Sequence, residues 1–198
     1  ARRGTWYPEE KEGPGLIVQA FAEEGQRPQV PGPLIRIPEG TEIRATIRNA
    51  IPDSTLVIHG LHTRPGNPND TLVVLPGTVI EVRFKAGAAG TYFYWATTTH
   101  TPFDEREGID SQLSGALIVD PVGSPLHLTD RIFMIGLWFE PADSSGSKIK
   151  EERETLVING RSWPHTERLT YSVGDTIRWR WINASVAPHP MHLHGFYY

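Results

Sequence analysis

The sequence predicts an all-β protein made of short antiparallel strands in a Greek-key sandwich or barrel. The 198-residue chain contains 19 glycines and 17 prolines. They recur about every ten residues, as the turns between strands do in such folds. The runs between them carry β-branched and aromatic residues at alternate positions, and no segment keeps a helical period.

Three runs show this alternation most clearly and are predicted to be strands. Two lie in the first half of the chain, at Glu42–Arg48 and Val79–Phe84. The third, Thr176–Trp181, lies near the C-terminus. Each run places its apolar residues on one parity, so each has one face for a core and one for solvent.

An internal repeat predicts two copies of one domain. Residues Thr41–Ala50 align with Asp175–Ala184 at an offset of 134 (175 − 41). A glycine precedes each copy, and a His-Gly pair follows each, at His59–Gly60 and His194–Gly195. Self-similarity at a fixed offset is typical of duplicated units. We therefore expect a first repeat at residues 1–121 and a second at residues 122–198.

The second repeat is predicted to be incomplete. The first repeat continues from Gly60 to residue 121, whereas the second continues only from Gly195 to Tyr198. A sandwich without its last strands exposes its core and leaves strand edges unpaired. We expect a fragment, or half of a split chain, whose remainder is supplied separately. The alternative is a second domain that has fewer strands.

Composition excludes several classes of partner and site. Lysine plus arginine (19) is outweighed by aspartate plus glutamate (23), so the net charge of −4 argues against a nucleic-acid partner. The longest apolar run, Ile132–Phe139, is far too short to cross a bilayer, so no membrane partner is expected. The absence of cysteine excludes disulfides, zinc-thiolate sites, iron-sulfur clusters and a cysteine nucleophile. Any metal must be bound by histidine, carboxylate or methionine.

Three histidines near the C-terminus, His189, His192 and His194, are predicted metal ligands. On a strand, the two-residue period would place His192 and His194 on one face and His189 on the other, so one segment could serve two metal sites. Imidazole suits copper, zinc, iron or nickel, and the lack of nearby carboxylates disfavours calcium and magnesium. The alternative is an exposed tail that binds metals adventitiously. Met191, between these ligands, is expected to pack in the core.

The segment His-Pro-Met-His-Leu-His-Gly at 189–195 resembles the first of two copper motifs in the C-terminal domain of multicopper oxidases, the laccase-like enzymes. Residues Pro31–Ile35 and Gly115–Pro121 are also similar to stretches of the family's first domain, and the two repeats resemble cupredoxin domains. The resemblance implies that His189 binds the type 1 copper, which accepts substrate electrons. It implies that His192 binds the type 2 copper and His194 a type 3 copper of the trinuclear cluster that reduces dioxygen.

The first repeat departs from the family's copper motifs. The family's His-Trp-His-Gly pattern stands here as Val57-Ile58-His59-Gly60, which keeps the second histidine alone. The later His-x-His or His-Cys-His motif falls at Trp95, Ala96 and Thr97. The resemblance therefore implies a first cupredoxin domain without a full copper-ligand set.

The remaining histidines are predicted to have other roles. His59 is expected to be a buried strand-end residue that hydrogen-bonds a neighbour, with a ligand role as the alternative. His62 and His100 are expected to be surface residues rather than the flanks of a substrate mouth or a second metal site. No role is predicted for His127 or His165.

The resemblance implies part of a laccase-like oxidase that couples one-electron oxidation of phenols or similar substrates to reduction of dioxygen to water. The family's electron path needs a cysteine flanked by histidines, so this chain alone is not expected to be active. A complementary C-terminal fragment or chain with a His-Cys-His motif would complete the sites, with an oligomer possible. Alternatives are a copper-carrying module without turnover and a two-domain nitrite-reductase-like enzyme with copper sites shared between subunits. The resemblance also implies a periplasmic or extracellular location, although no signal-peptide segment opens the sequence.

Overall fold

The computed structural model describes residues 1–9, 13, 15–61, 70–123, 130–140 and 153–194. The all-β prediction is confirmed, because 45% of the model is strand and the described residues contain no α-helix. Two short 3-10 turns lie at Phe103–Glu105 and Gly108–Asp110. The strands are β1 (Arg2–Trp6), β2 (Leu16–Ala20), β3 (Gly32–Pro38), β4 (Glu42–Arg48), β5 (Leu56–His59), β6 (Leu72–Val74), β7 (Val79–Lys85), β8 (Gly90–Thr97), β9 (Ser114–Asp120), β10 (Arg131–Glu140), β11 (Arg153–Ile158) and β12 (Trp179–Asn183).

The first repeat contains a five-stranded sheet and a two-stranded one. The larger sheet has the order β3-β9-β8-β5-β6, in which β3 and β9 run parallel and the other neighbours antiparallel. The smaller sheet is the antiparallel pair β4-β7. Their facing side chains form one buried cluster, which includes Leu56 and Ile58 from β5, Ile47 from β4 and Val82 from β7. This arrangement is a sandwich with its core between the two sheets.

The second repeat contributes a three-stranded sheet of order β11-β10-β12. Strand β11 runs antiparallel to β10, and β12 runs parallel to it. The N-terminal hairpin β1-β2 packs on this sheet, since Trp6 and Val18 share a buried cluster with Trp138 and Val157. The indole Nε1 of Trp6 also donates to the carbonyl of Gly160 at 3.0 Å. The N-terminal hairpin therefore packs against the sheet of the second repeat.

A second apolar seam lies between β12 and the outer face of the five-stranded sheet. Ile182 and Ala184 form a buried cluster with Ala116 and Met134, and Phe93 packs against it. Strand β12, which leads into the histidine segment, is therefore anchored on the first repeat.

An ion-pair network of Arg36, Asp120, Asp130 and Arg180 lies beside this seam. Arg36 bridges both carboxylates, with its Nε 2.7 Å from Asp120 Oδ2 and its Nη1 2.6 Å from Asp130 Oδ1. Arg180 on β12 donates from Nε to Asp130. Both carboxylates are 2% exposed, so this pairing is far better shielded from water than a surface salt bridge.

Arg36 and Arg180 shift the titration of the network's carboxylates. The hydrogen bonds from Arg36 lower the pKa of Asp120. Burial alone would raise the pKa of Asp130, but hydrogen bonds from Arg36 and Arg180 outweigh that effect and lower it. Both carboxyl groups are thus held in their charged form.

The backbone reproduces the internal repeat at the turn after the repeated segment. Asn49 Oδ1 accepts a hydrogen bond from the backbone N–H of Ile51 at 3.0 Å. Asn183 Oδ1 accepts one from the N–H of Ser185 at the same distance. The two asparagines are equivalent in the sequence alignment, so the turn is a shared structural feature. The domain boundary near residue 121 remains a prediction.

The predicted strands at Glu42–Arg48 and Val79–Phe84 are β4 and β7, but the predicted strand Thr176–Trp181 begins later, at Trp179. Strand β4 is paired with β7 along its whole length. Residues 176–178 are exposed, and the described part of the chain provides no strand in the position of β7 beside them. The carbonyl of Arg178 accepts a hydrogen bond from the N–H of Arg131 at 2.9 Å, but the segment lacks the continuous pairing on a neighbouring strand that β4 has along its whole length. Across the described residues, we also find no helix of the length and apolarity required to span a membrane.

Candidate metal centre

The segment with His189, His192 and His194 follows β12 after the Asn183–Ala187 turn. The turn is held by Asn183, whose Nδ2 donates to the carbonyl of Ala187 at 2.8 Å. Residues 188–194 form no strand, so the strand on which the side-chain parity was predicted is not observed. The physical reason is the same as for residues 176–178, because no described strand lies alongside to pair with them.

The structure brings His192 and His194 together. Their Nε2 atoms are 3.2 Å apart, and their ring centroids are 4.6 Å apart at an interplanar angle of 60°. Both residues are exposed. Metal–imidazole bonds are about 2.0–2.1 Å long, so two nitrogens at this separation can reach the same ion. The pair has the geometry of two ligands that meet at one point.

His189 is half-buried and is engaged elsewhere. Its Nε2 lies 2.8 Å from Ser185 Oγ. Among the residues that the structure describes, no group of three or more His, Cys, Asp or Glu side chains could hold a metal ion. Imidazole is a suitable ligand for copper, but the described residues bring together too few imidazoles to form a complete copper site.

Met191 lies between these histidines and is 43% exposed. The prediction that it packs in the core is therefore wrong for this chain. The neighbouring Leu193 is 40% exposed as well. Apolar side chains with this much exposure on one short segment indicate a face that the described residues leave uncovered.

In the first repeat, His59 is packed against other side chains rather than exposed. His59 ends β5, and its ring stacks on Trp95 with centroids 4.1 Å apart and an angle of 14°. Phe103 meets the same indole edge-on at 5.3 Å, and the guanidinium of Arg106 lies 5.0 Å from its centroid. We call these four residues the His59 stack. Burial lowers the pKa of His59, and the nearby Arg106 lowers it further.

Arg106 is a buried cation that sequence reasoning missed. It is 2% exposed, and its Nη1 donates to the carbonyls of Ala96 at 3.0 Å and Asp110 at 2.8 Å. Among the described residues, its Nε and Nη2 have no hydrogen-bond partner, and the guanidinium lies beside the rings of Trp95 and Phe103. Burial lowers the pKa of Arg106 to about 10. No pattern in the sequence marks this arginine, because its burial arises from the path of the loop after β8.

In the first repeat, the residues that the resemblance aligns with copper ligands are packed or hydrogen-bonded within the fold. Trp95 belongs to the His59 stack, and Ala96 is fully buried. Thr97 Oγ1 donates to the buried carboxylate of Asp110 at 3.0 Å, and Thr98 donates to it from its backbone N–H at 2.6 Å. That the first repeat is copper-free stays a prediction, but its side chains at these positions are committed to packing and hydrogen bonds.

The remaining histidines lie in loops and turns or outside the described part of the chain. His62 and His127 lie outside the described residues. His100 is exposed and has a left-handed backbone conformation, with φ of 61°. His165 lies in a turn, where its N–H donates to the carbonyl of Ser162 at 2.8 Å.

Comparison with known protein families identifies the family of this chain. Residues 25–123 match one multicopper oxidase model, and residues 139–198 match another. The chain belongs to the multicopper oxidase family. This confirms the resemblance stated from the copper motif, and with it copper as the cofactor that the family implies.

Relatives of this multicopper oxidase chain include both oxidases and nitrite reductases. It is 28% identical over 204 residues to a probable nitrite reductase-hydroxylamine oxidoreductase fusion protein of Kuenenia stuttgartiensis, covering 92% of this chain and 23% of the relative. It is 29% identical over 215 residues to a copper-containing nitrite reductase of Pseudomonas chlororaphis, covering 91% and 57%. The crystal structure of a blue copper oxidase from Nitrosomonas europaea superposes with a TM-score of 0.64 at 26% identity, covering 92% and 58%. The chain thus spans less than two thirds of each of these proteins, and its cupredoxin-like fold is confirmed.

Proposed function

We propose that this chain supplies part of the copper ligands of a laccase-like multicopper oxidase, which couples one-electron oxidation of phenolic or similar substrates to reduction of dioxygen to water. The observation that carries the proposal is the division of its three motif histidines. His192 and His194 converge at 3.2 Å, while His189 is engaged by Ser185. Such a division supports two copper sites that share one short segment.

In this proposal His189 binds the type 1 copper, and His192 and His194 bind the trinuclear cluster. When bound, copper supplies one-electron transfer from the substrate and the reduction of dioxygen. The chain's own residues hold the imidazoles in place: β12 is anchored by the Arg180–Asp130 ion pair, and Asn183 fixes the turn that leads to the ligands. Fixed ligands and their hydrogen-bonding neighbours tune a metal centre.

The remaining ligands are proposed to come from a complementary segment or chain that carries a His-Cys-His motif. The 198 residues contain no cysteine. The exposed faces of the second repeat support the same conclusion. Leu56 and Ile58 of the first repeat are 0% exposed, whereas their counterparts before the second His-Gly pair, Met191 and Leu193, are 43% and 40% exposed. A partner that covers these residues would complete both the core and the copper sites, and the chain without it would be inactive.

A second candidate function is nitrite reduction with copper sites shared between subunits. Two relatives whose names include nitrite reductase match more than nine tenths of this chain, which favours keeping this candidate. A copper carrier without turnover is the non-enzymatic alternative. In all three cases we propose a periplasmic or extracellular location, as the family resemblance implies.

Intact mass spectrometry of the native protein, combined with copper quantification and two activity assays, tests the proposal. We expect a cysteine-containing polypeptide to accompany or extend this chain, with copper for a type 1 site and a trinuclear cluster. We also expect oxygen uptake with a phenol as substrate. Nitrite turnover without oxygen uptake would transfer the proposal to the second candidate. Copper binding without either activity would favour the carrier.

A further inference from the structure

The turn before His189 contains a hydrogen-bond network centred on Asn183 and Ser185. Asn183 Oδ1 accepts from the backbone N–H of Ser185, which fixes the orientation of the amide. The Nδ2 of Asn183 then donates to the carbonyl of Ala187 at 2.8 Å. The amide oxygen is therefore the atom that faces Ser185.

The hydroxyl of Ser185 has one proton to donate. Its Oγ lies 2.8 Å from Asn183 Oδ1 and 3.1 Å from the carbonyl of Ala187, and both of these atoms are pure acceptors. The same Oγ accepts from the N–H of Ala187 at 3.2 Å. With the proton directed to one of these oxygens, the contact at 2.8 Å with His189 Nε2 is a hydrogen bond in which the imidazole is the donor.

We propose that Ser185 is a positioning residue that holds His189 in its Nε2–H tautomer and leaves the Nδ1 lone pair free for the metal. A neutral imidazole carries a proton on one nitrogen and a lone pair on the other, and the hydrogen bond of the first nitrogen decides which is which. Hydrogen bonds of this kind also set the ring orientation of metal-binding histidines. The metal-binding part of the inference rests on the proposed function, whereas the tautomer follows from the network itself.

Comparison of the two repeats supports a specific role for the hydroxyl. Asn49 in the first repeat makes the same 3.0 Å bond to the residue two positions on, but that residue is Ile51. Ile51 is 0% exposed and Ser185 is 6% exposed, so both positions are buried. The first repeat has no histidine at the position that corresponds to His189. Thus the buried serine occurs in the repeat that has an imidazole to bond, and an apolar residue replaces it in the repeat that does not.

The choice of nitrogen distinguishes His189 from the other two motif histidines. His192 and His194 face each other through Nε2, so these are the nitrogens that would bind the copper cluster. His189 has its Nε2 occupied by Ser185 and would bind through Nδ1. The segment therefore presents different ring nitrogens to its two proposed sites.

NMR of the metal-free 198-residue chain, labelled with 15N in the histidine rings, tests the tautomer directly. At pH 8, where an ordinary imidazole is neutral, we expect His189 to show a protonated Nε2 and a bare Nδ1. In Ser185→Ala, we expect the two ring-nitrogen shifts to move toward each other as both tautomers become populated. Ser185→Thr keeps the hydroxyl and is expected to keep the wild-type pattern. Ser54→Ala, which removes an exposed hydroxyl from the corresponding turn of the first repeat, is the matched control and is expected to leave His189 unchanged.

Two results would overturn the inference: an Nδ1–H tautomer in the wild type, or an unchanged tautomer in Ser185→Ala. Titration of the assembled protein with Cu²⁺ alone then separates the inference from the proposed function. We expect Ser185→Ala to weaken copper binding at His189 by about tenfold, in line with the effect of losing such a neighbour. Failure of the assembled wild-type protein, with its cysteine-containing partner segment, to bind Cu²⁺ at His189, with the tautomer as expected, would overturn the proposed function and leave the Ser185–His189 assignment standing.

Discussion

The two repeats have the same turn after equivalent strands, but their histidines lie in different environments. In the first repeat, His59 is stacked on Trp95, with Arg106 close by on the same indole. In the second, His192 and His194 are exposed and turn their Nε2 atoms toward each other. The same backbone turn at Asn49 and Asn183 is therefore compatible with two different histidine environments. In the first repeat the imidazole is stacked within the fold, and in the second two imidazoles are exposed to solvent.

The largest expected difference between the repeats is in core packing. Ile58→Ala in the first repeat should lower the free energy of unfolding by about 2–5 kcal/mol, because Ile58 is 0% exposed. The counterpart, Leu193→Ala, should cost about 0.5 kcal/mol or less in this chain, because Leu193 is 40% exposed. Urea denaturation of both variants measures the difference. Equal losses would show that the second repeat is already packed like the first.

The ion-pair network should have the next largest effect. Asp130→Ala removes one of the two buried carboxylates that pair with Arg36 and Arg180, so we expect a loss of about 3 kcal/mol in the free energy of unfolding. Glu167→Ala, which breaks the half-exposed pair with Arg131, is the matched control and should cost less than about 1 kcal/mol. A loss for Asp130→Ala as small as the control's would mean that the ion-pair network adds no measurable stability to the contact between the repeats.

Acid should weaken the same network. The pKa values of Asp120 and Asp130 are lower in the folded chain than in the unfolded one. Their contribution to stability is therefore present above the unfolded pKa of about 3.9 and is lost as pH falls through the lower folded pKa values. When urea denaturation is measured from pH 6 down to pH 2, we expect the midpoint urea concentration to decrease at pH values below about 4. In Asp130→Asn this fall should be shallower, and an identical pH profile would place the titrating groups elsewhere.

The smallest expected effect concerns the His59 stack. Burial is the main reason that the pKa of His59 is lowered, and the positive charge of Arg106 is a further one. Arg106→Met keeps an apolar side chain of similar length but removes the charge, so the pKa of His59 should rise. A pH titration of the His59 ring by NMR measures the change, with Arg44→Met on the exposed face of β4 as the control. A His59 pKa that falls or stays fixed in Arg106→Met would contradict the electrostatic part of this account.

Sequence reasoning predicted the fold well where the chain carries a local pattern. The alternation at Glu42–Arg48 and Val79–Phe84 predicted β4 and β7, and the segments aligned by the repeat are followed by the same turn at Asn49 and Asn183. It placed Thr176 in a strand that begins only at Trp179, because a strand depends on a neighbour as well as on its own pattern.

The candidate site was predictable in its residue types but not in its supporting contacts. The spacing of His189, His192 and His194 predicted that His189 would lie apart from the other two histidines. Their ring nitrogens are arranged in this way, although residues 188–194 do not form the strand on which the prediction was based. Ser185 and Arg106 could not be found from the sequence. Their partners are decided by a turn and a loop that bring the side chains together, and no periodicity records such contacts.

Copper stoichiometry of the assembled protein tests the central claim, that the second repeat binds copper and the first does not, most directly. The account predicts that the double variant His192→Ala/His194→Ala loses the copper of the cluster, whereas His59→Ala retains the wild-type copper content. Copper loss in His59→Ala, with unchanged content in the double variant, would contradict it.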